Sequence, residues 1–299
     1  MNFPNRDRQR FVARCLLCLV TLLALFTTDT HANQVVAWGS PTNVPVEVNQ
    51  AVTISAGWGY SLGIAPDGSL IDWGNDPGTP PPGLTGLLAV AASHEHSLAL
   101  KGDGTIAVWG DPGRGWAYTP VPDGLTNVAA ISANGDEDGE QSLVLNHDGT
   151  VVAWGNVSSV PDDLSNVVAV AAGTWDSIAL KSDGTVVAWG ATYPPIDSGE
   201  ADVPDGLTNV TAISAGAGHS LAITVPLQIT SVIKTNQSAL LRFHTFSGQQ
   251  YGVEHSPNLN PGSWSALPGS SVSGNGQDVW VTDTNALSSA GARFYRLRQ

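Results

Sequence analysis

Five times the chain spells nearly the same phrase, an apolar pair, one further residue and Trp-Gly: Val35-Val36-Ala37-Trp38-Gly39, Leu70-Ile71-Asp72-Trp73-Gly74, Ile106-Ala107-Val108-Trp109-Gly110, Val151-Val152-Ala153-Trp154-Gly155 and Val186-Val187-Ala188-Trp189-Gly190. The Trp residues stand 35, 36, 45 and 35 positions apart. A unit of that length holds one small antiparallel sheet and cannot bury its own face, so units must stack on one another. The repeat therefore predicts an array, with function on the array's surface.

The residues before the first repeat have the character of an export signal. Arg6, Arg8, Arg10 and Arg14 precede an apolar run from Cys15 to Phe26, and Thr30-His31-Ala32 offers a small-residue cleavage site. The apolar run is short of the roughly 20 residues a membrane span needs. A signal peptide over residues 1–32 is expected, with localisation to the secreted, periplasmic or cell-surface space. Its removal takes four Arg and two Asp from totals of 12 basic and 26 acidic residues, leaving 8 against 24 and a net charge of −16. Nucleic-acid affinity comes mostly from Lys and Arg displacing counterions, so a chain this acidic is a poor ligand for DNA or RNA. Cys15 and Cys18 both lie within the segment, so the remainder has no disulfide and no Cys nucleophile.

Within each unit the pattern reads as three strands. Ser165 to Gly173 is a β-branched run ending in Gly, Ser177-Ile178-Ala179-Leu180 alternates, and Thr185 to Trp189 follows Asp183-Gly184. Asp-Gly between two such runs is a hairpin signal because both residues tolerate positive φ, and it recurs at Asp67-Gly68, Asp103-Gly104 and Asp148-Gly149. Val-Pro-x-x-Leu separates the units at Val121, Val160 and Val203, as befits an edge or linker. The last unit stops after Ile223 with no Trp-Gly strand, while the first Trp-Gly strand has no hairpin partner. Residues 35–39 completing the last sheet would close a ring of five and remove two exposed edges. The expectation is an all-β fold: a repeat β-propeller of about five short blades over residues 33–225.

The phrase running from Ser93 through His96-Ser97-Leu98-Ala99-Leu100 and Asp103-Gly104-Thr105 to Trp109-Gly110 resembles the repeats of the regulator of chromosome condensation superfamily. With Val-Pro shortly after Trp-Gly, it is most similar to the bacterial secreted branch that includes β-lactamase inhibitory protein II. The resemblance covers residues 35–224 and implies the propeller fold; as to function it implies no single role, since that superfamily hosts a nucleotide exchange factor, modules attached to ubiquitin ligases and kinases, and inhibitors. Members of that superfamily generally have seven blades and this chain has five, so either the ring is smaller or it is open and needs a partner.

Residues 226–299 differ in kind. Short alternating runs such as Ala239 to Phe243, Tyr251 to Glu254, Val279 to Val281 and Arg293 to Leu297 are separated by Gly- and Ser-rich turns, which predicts a small β-sandwich. Tyr251-x-Val253-Glu254-x-Ser256-x-x-Leu259 with Trp264 resembles an accessory sandwich of exported bacterial proteins, implying a spacer or attachment role.

Catalytic readings are weaker than structural ones. Gly59-Tyr60-Ser61-Leu62-Gly63 matches a hydrolase elbow, but Ser97, Ser142, Ser177 and Ser220 share the repeat position of Ser61 without the flanking glycines. Tyr60, His96, Gln141, Asp176 and His219 share the preceding position, which suits hydrogen bonds between blades better than a metal cluster. The run Asn134 to Glu140 lacks the Glu an EF-hand requires and reads as a solvated acidic loop. No cofactor, catalytic residue or metal site is expected.

The Gly-x-x-His links and the Trp-Gly ends must share one face, and the Asp-Gly turns the other. The first face carries Trp58, His94, Arg114, Trp116, Tyr118, Trp175 and Tyr193 on unequal loops, as recognition surfaces do. A non-enzymatic binding protein is expected, engaging an extracellular or periplasmic protein and acting in the sharper version as an enzyme inhibitor. A glycan-binding module and an exported hydrolase or lyase are the alternatives.

Overall fold

The computed structural model describes residues 35–37, 44–75, 78–110, 120–136, 139–155, 159–190, 199–235, 238–286 and 293–299. Residues 33–299 form a compact unit of their own. The signal-like segment lies outside the described residues, and among those described no helix is long and apolar enough to cross a membrane.

Four three-stranded antiparallel sheets and one of two strands follow in chain order. Blade 1 comprises β1 (Thr53–Ala56), β2 (Tyr60–Ile64) and β3 (Leu70–Gly74), and blade 2 β4 (Leu87–Ala92), β5 (His96–Lys101) and β6 (Ile106–Gly110). Blade 3 comprises β7 (Val128–Asp136), β8 (Gly139–Asn146) and β9 (Val151–Gly155), and blade 4 β10 (Val167–Ala172), β11 (Asp176–Lys181) and β12 (Val186–Gly190). Blade 5 has only β13 (Val210–Ala215) and β14 (Ser220–Thr224) among the described residues.

The Asp-Gly hairpins form as the sequence predicts, with one difference. Only the glycine takes positive φ, as at Gly104 (78°), while the Asp stays in ordinary space. The Asp103 carboxylate instead accepts from the Thr105 backbone N–H at 3.0 Å and its hydroxyl at 2.6 Å, and the same pair of bonds recurs at Asp67, Asp148 and Asp183. The turn is thus an Asx-type turn closed by a left-handed Gly. These tips also tie blades together: the carbonyls of Gly68, Gly149 and Gly184 accept from the N–H groups of Leu87, Val167 and Val210 at the start of the next blade.

Blades pack face to face through apolar side chains. Tyr60, Leu62 and Ile64 of blade 1 meet Leu87, Val90 and Trp109 of blade 2, and Leu143 and Leu145 of blade 3 meet Val167, Ala179 and Trp189 of blade 4. The linkers fill the wedge between blades through Leu84, Val121 with Leu125, and Val160 with Leu164. Trp109, Trp154 and Trp189 are therefore packing residues, each of the junction its blade makes with the one before.

The closure expected of residues 35–39 is not made by its described part. Residues 35–37 carry no strand pairing with β14. Val35 N–H donates to Asn49 Oδ1 at 3.3 Å, and residues 35–37 line a cavity with Ile54, Ser61 and Trp73 on the outer side of blade 1. Trp38 and Gly39 lie outside the described residues. At the other end, Leu221 and Ile223 of β14 are 61% and 63% exposed.

After the array come two further sheets. One holds β15 (Ile229–Lys234), β16 (Ala239–His244) and β20 (Asp278–Asp283). The other is built on β17 (Gln250–Ser256), which pairs with β18 (Ser265–Ala266), β19 (Val272–Ser273) and β21 (Phe294–Arg298). Leu241, Phe243 and Val281 from the first meet Tyr251 and Val253 from the second in one core. This unit touches the Asp-Gly side of blade 4: Ser247 N–H donates to the Ser182 carbonyl at 3.2 Å, and Phe246 lies where a Cβ on Gly184 would stand.

Candidate functional site

Strand register settles which loops share a face. Tyr60 at the start of β2 is opposite Gly74 at the end of β3, and His96, Gln141 and Asp176 stand likewise opposite Gly110, Gly155 and Gly190. The links between first and second strands and the Trp-Gly ends therefore lie together, away from the Asp-Gly turns.

The short links are tight turns. In four of the blades the backbone N–H of the first link residue donates to the carbonyl of the polar residue that opens the second strand: Gly57 to Tyr60, Ser93 to His96, Gly173 to Asp176 and Gly216 to His219. Blade 3 departs from this. Between paired Ala92 and Ser97 stand four residues, but between paired Ala133 and Ser142 stand eight, so β7 and β8 extend inward as a longer hairpin.

The polar residues at the link position bond to the neighbouring blade, as the repeat suggests. Tyr60 Oη lies 3.0 Å from Ser97 Oγ, His96 Nε2 lies 2.8 Å from Ser142 Oγ, Ser177 Oγ donates to Gln141 Oε1 at 3.3 Å, and Ser220 Oγ donates to Asp176 Oδ2 at 2.9 Å. Each junction thus joins a polar group of one blade to the serine of the next. Burial pushes the Tyr60 hydroxyl up to about 12, so it stays protonated and able to donate to the His96 carbonyl at 2.8 Å. Ser61, the nominal elbow serine, lies within β2 opposite Ala56 and Trp73, without the strand-to-helix turn that a nucleophile elbow uses.

All five blades contribute to one cavity of about 590 Å³ on the link face, lined among others by Trp58, His94, Asn134, Thr174, Trp175 and Ala217. Three of the expected binding residues, Trp58, His94 and Trp175, come together here. Trp58 is 61% exposed and its ring meets that of His94 at 4.5 Å between centroids, tilted by 38°. Arg114, Trp116, Tyr118 and Tyr193 lie outside the described residues.

The expected solvated loop is corrected by Glu140. Its side chain is 13% exposed and turns inward. Oε1 accepts from the Glu95 backbone N–H at 2.8 Å, Oε2 accepts from Ser93 Oγ at 2.5 Å, and Oε2 also meets His96 Nδ1. Beside it stand His94 and Glu95. Sequence reasoning missed both glutamates, yet a signal exists: Glu95 and Glu140 occupy the same repeat position, directly before His96 and Gln141, in adjacent blades.

The fold and the site together define a repeat-propeller scaffold with a loop-lined cup at its centre. No family model matches the chain, and no curated protein matches it. Among solved structures it is similar to human WBSCR16, at 16% identity and TM-score 0.46 over 59% of this chain and 58% of that one. It is similar to Prp20p of Saccharomyces cerevisiae, characterised for binding Gsp1p and histones, at 19% and 0.44 over 65% and 58%. It is also similar to the CRINKLY WD40 ectodomain of the Arabidopsis thaliana receptor kinase ACR4, at 20% and 0.44 over 60% and 61%. The chain spans less than two thirds of the length of each of these structures.

Proposed function

We propose that this chain is an exported, non-enzymatic binding protein whose central cup engages another protein. The observation that carries this reading is the cavity to which all five blades contribute, each with a different set of side chains. A repeating ligand would favour the same set in every blade, whereas the residue after the first link position is Trp58, His94, Thr174 and Ala217 in turn, which suits one asymmetric partner. Trp58, exposed and held by a tight backbone turn, presents large contact area at little ordering cost. The opposite face has little to offer, because its Asp-Gly tips are engaged with their own Thr or Ser and with the next blade. Export rests on residues 1–32, and inhibition of an exported enzyme is the sharper form of the same reading.

The test is capture of partners from the extracellular fraction with the wild-type chain and with Trp58→Ala, Trp175→Ala and the loop variants Trp116→Ala and Tyr118→Ala. A central aromatic anchor is worth on the order of 2 kcal/mol, about a thirtyfold loss of affinity when truncated. Loss of one captured protein in Trp58→Ala, with an unchanged melting temperature, supports the cup. Equal capture by all four variants moves the site elsewhere, and binding of an oligosaccharide through the same residues assigns the cup to carbohydrate.

A further inference from the structure

The wall of the cup between blades 2 and 3 carries a group of side chains that blade packing does not explain. Glu95 has a side chain only 8% exposed, and its Oε2 is buried with no hydrogen-bond partner. His94 Nδ1 is likewise buried without a hydrogen-bond partner, 3.6 Å from Glu95 Oε1. Glu140 completes the group, its carboxylate held by Ser93, the Glu95 N–H and His96. One ligand atom from each of His94, Glu95 and Glu140 lies within 4.8 Å of the other two. Two nearly buried carboxylates demand compensating charge, because an unpaired buried ion is far costlier than a buried amide. Among the described residues no Lys or Arg forms an ion pair with either glutamate; the ion pairs they make are with histidines.

We propose that His94, Glu95 and Glu140 form a site for a divalent transition-metal ion, with Zn²⁺ the best match. One imidazole nitrogen with two carboxylate oxygens is a donor set of the zinc type, harder than thiolate sites and softer than the all-oxygen cages of calcium. Ligands bound tetrahedrally at about 2.1 Å from the ion stand about 3.4 Å apart, so His94 and Glu95, at 3.6 Å, are nearly in place and no pair has to close by more than about 1.4 Å. The side chains that must move are those of His94 and Glu95, the two that no hydrogen bond restrains. Glu140 is fixed instead by His96, whose Nε2 is held by Ser142, an outer ring of partners of the kind that orients metal ligands. Three protein ligands leave a fourth position for water, and His94 places the site at the edge of the cup. An ion there neutralises both carboxylates and joins blade 2 to blade 3 at the cup wall. The site stands whether or not the cup engages a protein.

The test uses metal alone, on untagged residues 33–299, the compact unit that excludes Cys15 and Cys18. After treatment with chelator, titration with zinc chloride is expected to show one ion per chain. The melting temperature is expected to rise by about 5 °C or more when free zinc stands a hundredfold above Kd. Loss of an outer partner typically weakens metal sites by about 10- to 100-fold, so His94→Ala and Glu95→Gln are each expected to exceed about a hundredfold. In chelator Glu95→Gln should melt no lower than wild type, since it keeps the side chain's shape and removes a nearly buried charge, while His94→Ala should lose only its contact with the Trp58 ring. His219→Ala, at an exposed histidine, should bind zinc as wild type does. Absence of one-to-one binding, or binding weakened less than tenfold by both His94→Ala and Glu95→Gln, overturns the site.

Discussion

The same repeat position has opposite surroundings in the middle of the array and at its end. Leu62, Leu98 and Leu143 are 0% exposed and Ile178 is 2% exposed, each covered by the following blade; Leu221, their counterpart in blade 5, is 61% exposed. The polar position tells the same story. Tyr60, His96, Gln141 and Asp176 each meet the serine of the next blade, whereas His219 of the last blade is exposed. The apolar position is Leu or Ile throughout, so burial there is conferred by the neighbour and not by the residue.

The largest test of that contrast compares Leu143→Ala with Leu221→Ala. A fully buried Leu costs about 3 kcal/mol when truncated, through lost transfer energy and the cavity left behind. At an exposed position the cost is below about 0.5 kcal/mol. Denaturant unfolding measures both. An equal cost at Leu221 would mean that the end is covered in solution, and removing residues 33–43 would then abolish the cost there and not at Leu143.

Next in size are the polar positions. His96→Ala leaves Ser142 without its partner across the junction and takes one of three from Glu140, and is expected to cost about 2 kcal/mol. His219→Ala should fall within about 0.5 kcal/mol of wild type. Similar values for the two would break the contrast.

A smaller effect is expected at Asp176, in the last complete junction. Burial pushes its carboxyl above the ordinary value, against the hydrogen bond from Ser220, and Glu200 adds to the rise. The folded state therefore holds the proton more tightly than the unfolded state. The stability tied to that proton is fully present below the ordinary carboxylate value and is lost as pH rises through the elevated one. Asp176→Asn should match wild type near pH 3 and melt higher at pH 7, followed by thermal denaturation across pH. A constant difference at all pH values would mean that Asp176 does not titrate in this way.

The smallest effect belongs to the hairpin tips, which look alike along the array. The hydroxyl and N–H of Ser69, Thr105 and Thr150 hold Asp67, Asp103 and Asp148 below the ordinary carboxylate value. Their contribution is present above that value and fades as pH falls through the lowered one. In Thr105→Val the Asp103 resonance, followed by NMR titration, should move back up while Asp67 and Asp148 stay where they are.

Strands, hairpins, the sorting of loops by face and the polar contact between blades were legible because each is written several times, and a position repeated in every unit reports the unit's packing. The repeat also placed Trp58, His94 and Trp175 on one face. What it could not show is the convergence of His94 and Glu95 with Glu140, which are drawn from different blades and meet only through the longer hairpin of blade 3. The surroundings of residues 35–37 were illegible for a related reason: the same Val-Val-Ala run can serve any blade edge, and only tertiary contacts choose between the first blade and the last.

The bond from one blade's polar residue to the next blade's serine has a consequence for how such a chain changes over generations. Each unit carries the donor side of one junction and the acceptor side of another, so the rules of assembly travel with the unit. A gene segment duplicated or lost in whole multiples of the repeat would yield a protein whose new neighbours already match, while a cut elsewhere would leave a buried polar group without its mate. Length is then cheap to vary and register is not, and the cup's diverse loops ride on a scaffold whose count can drift without redesign.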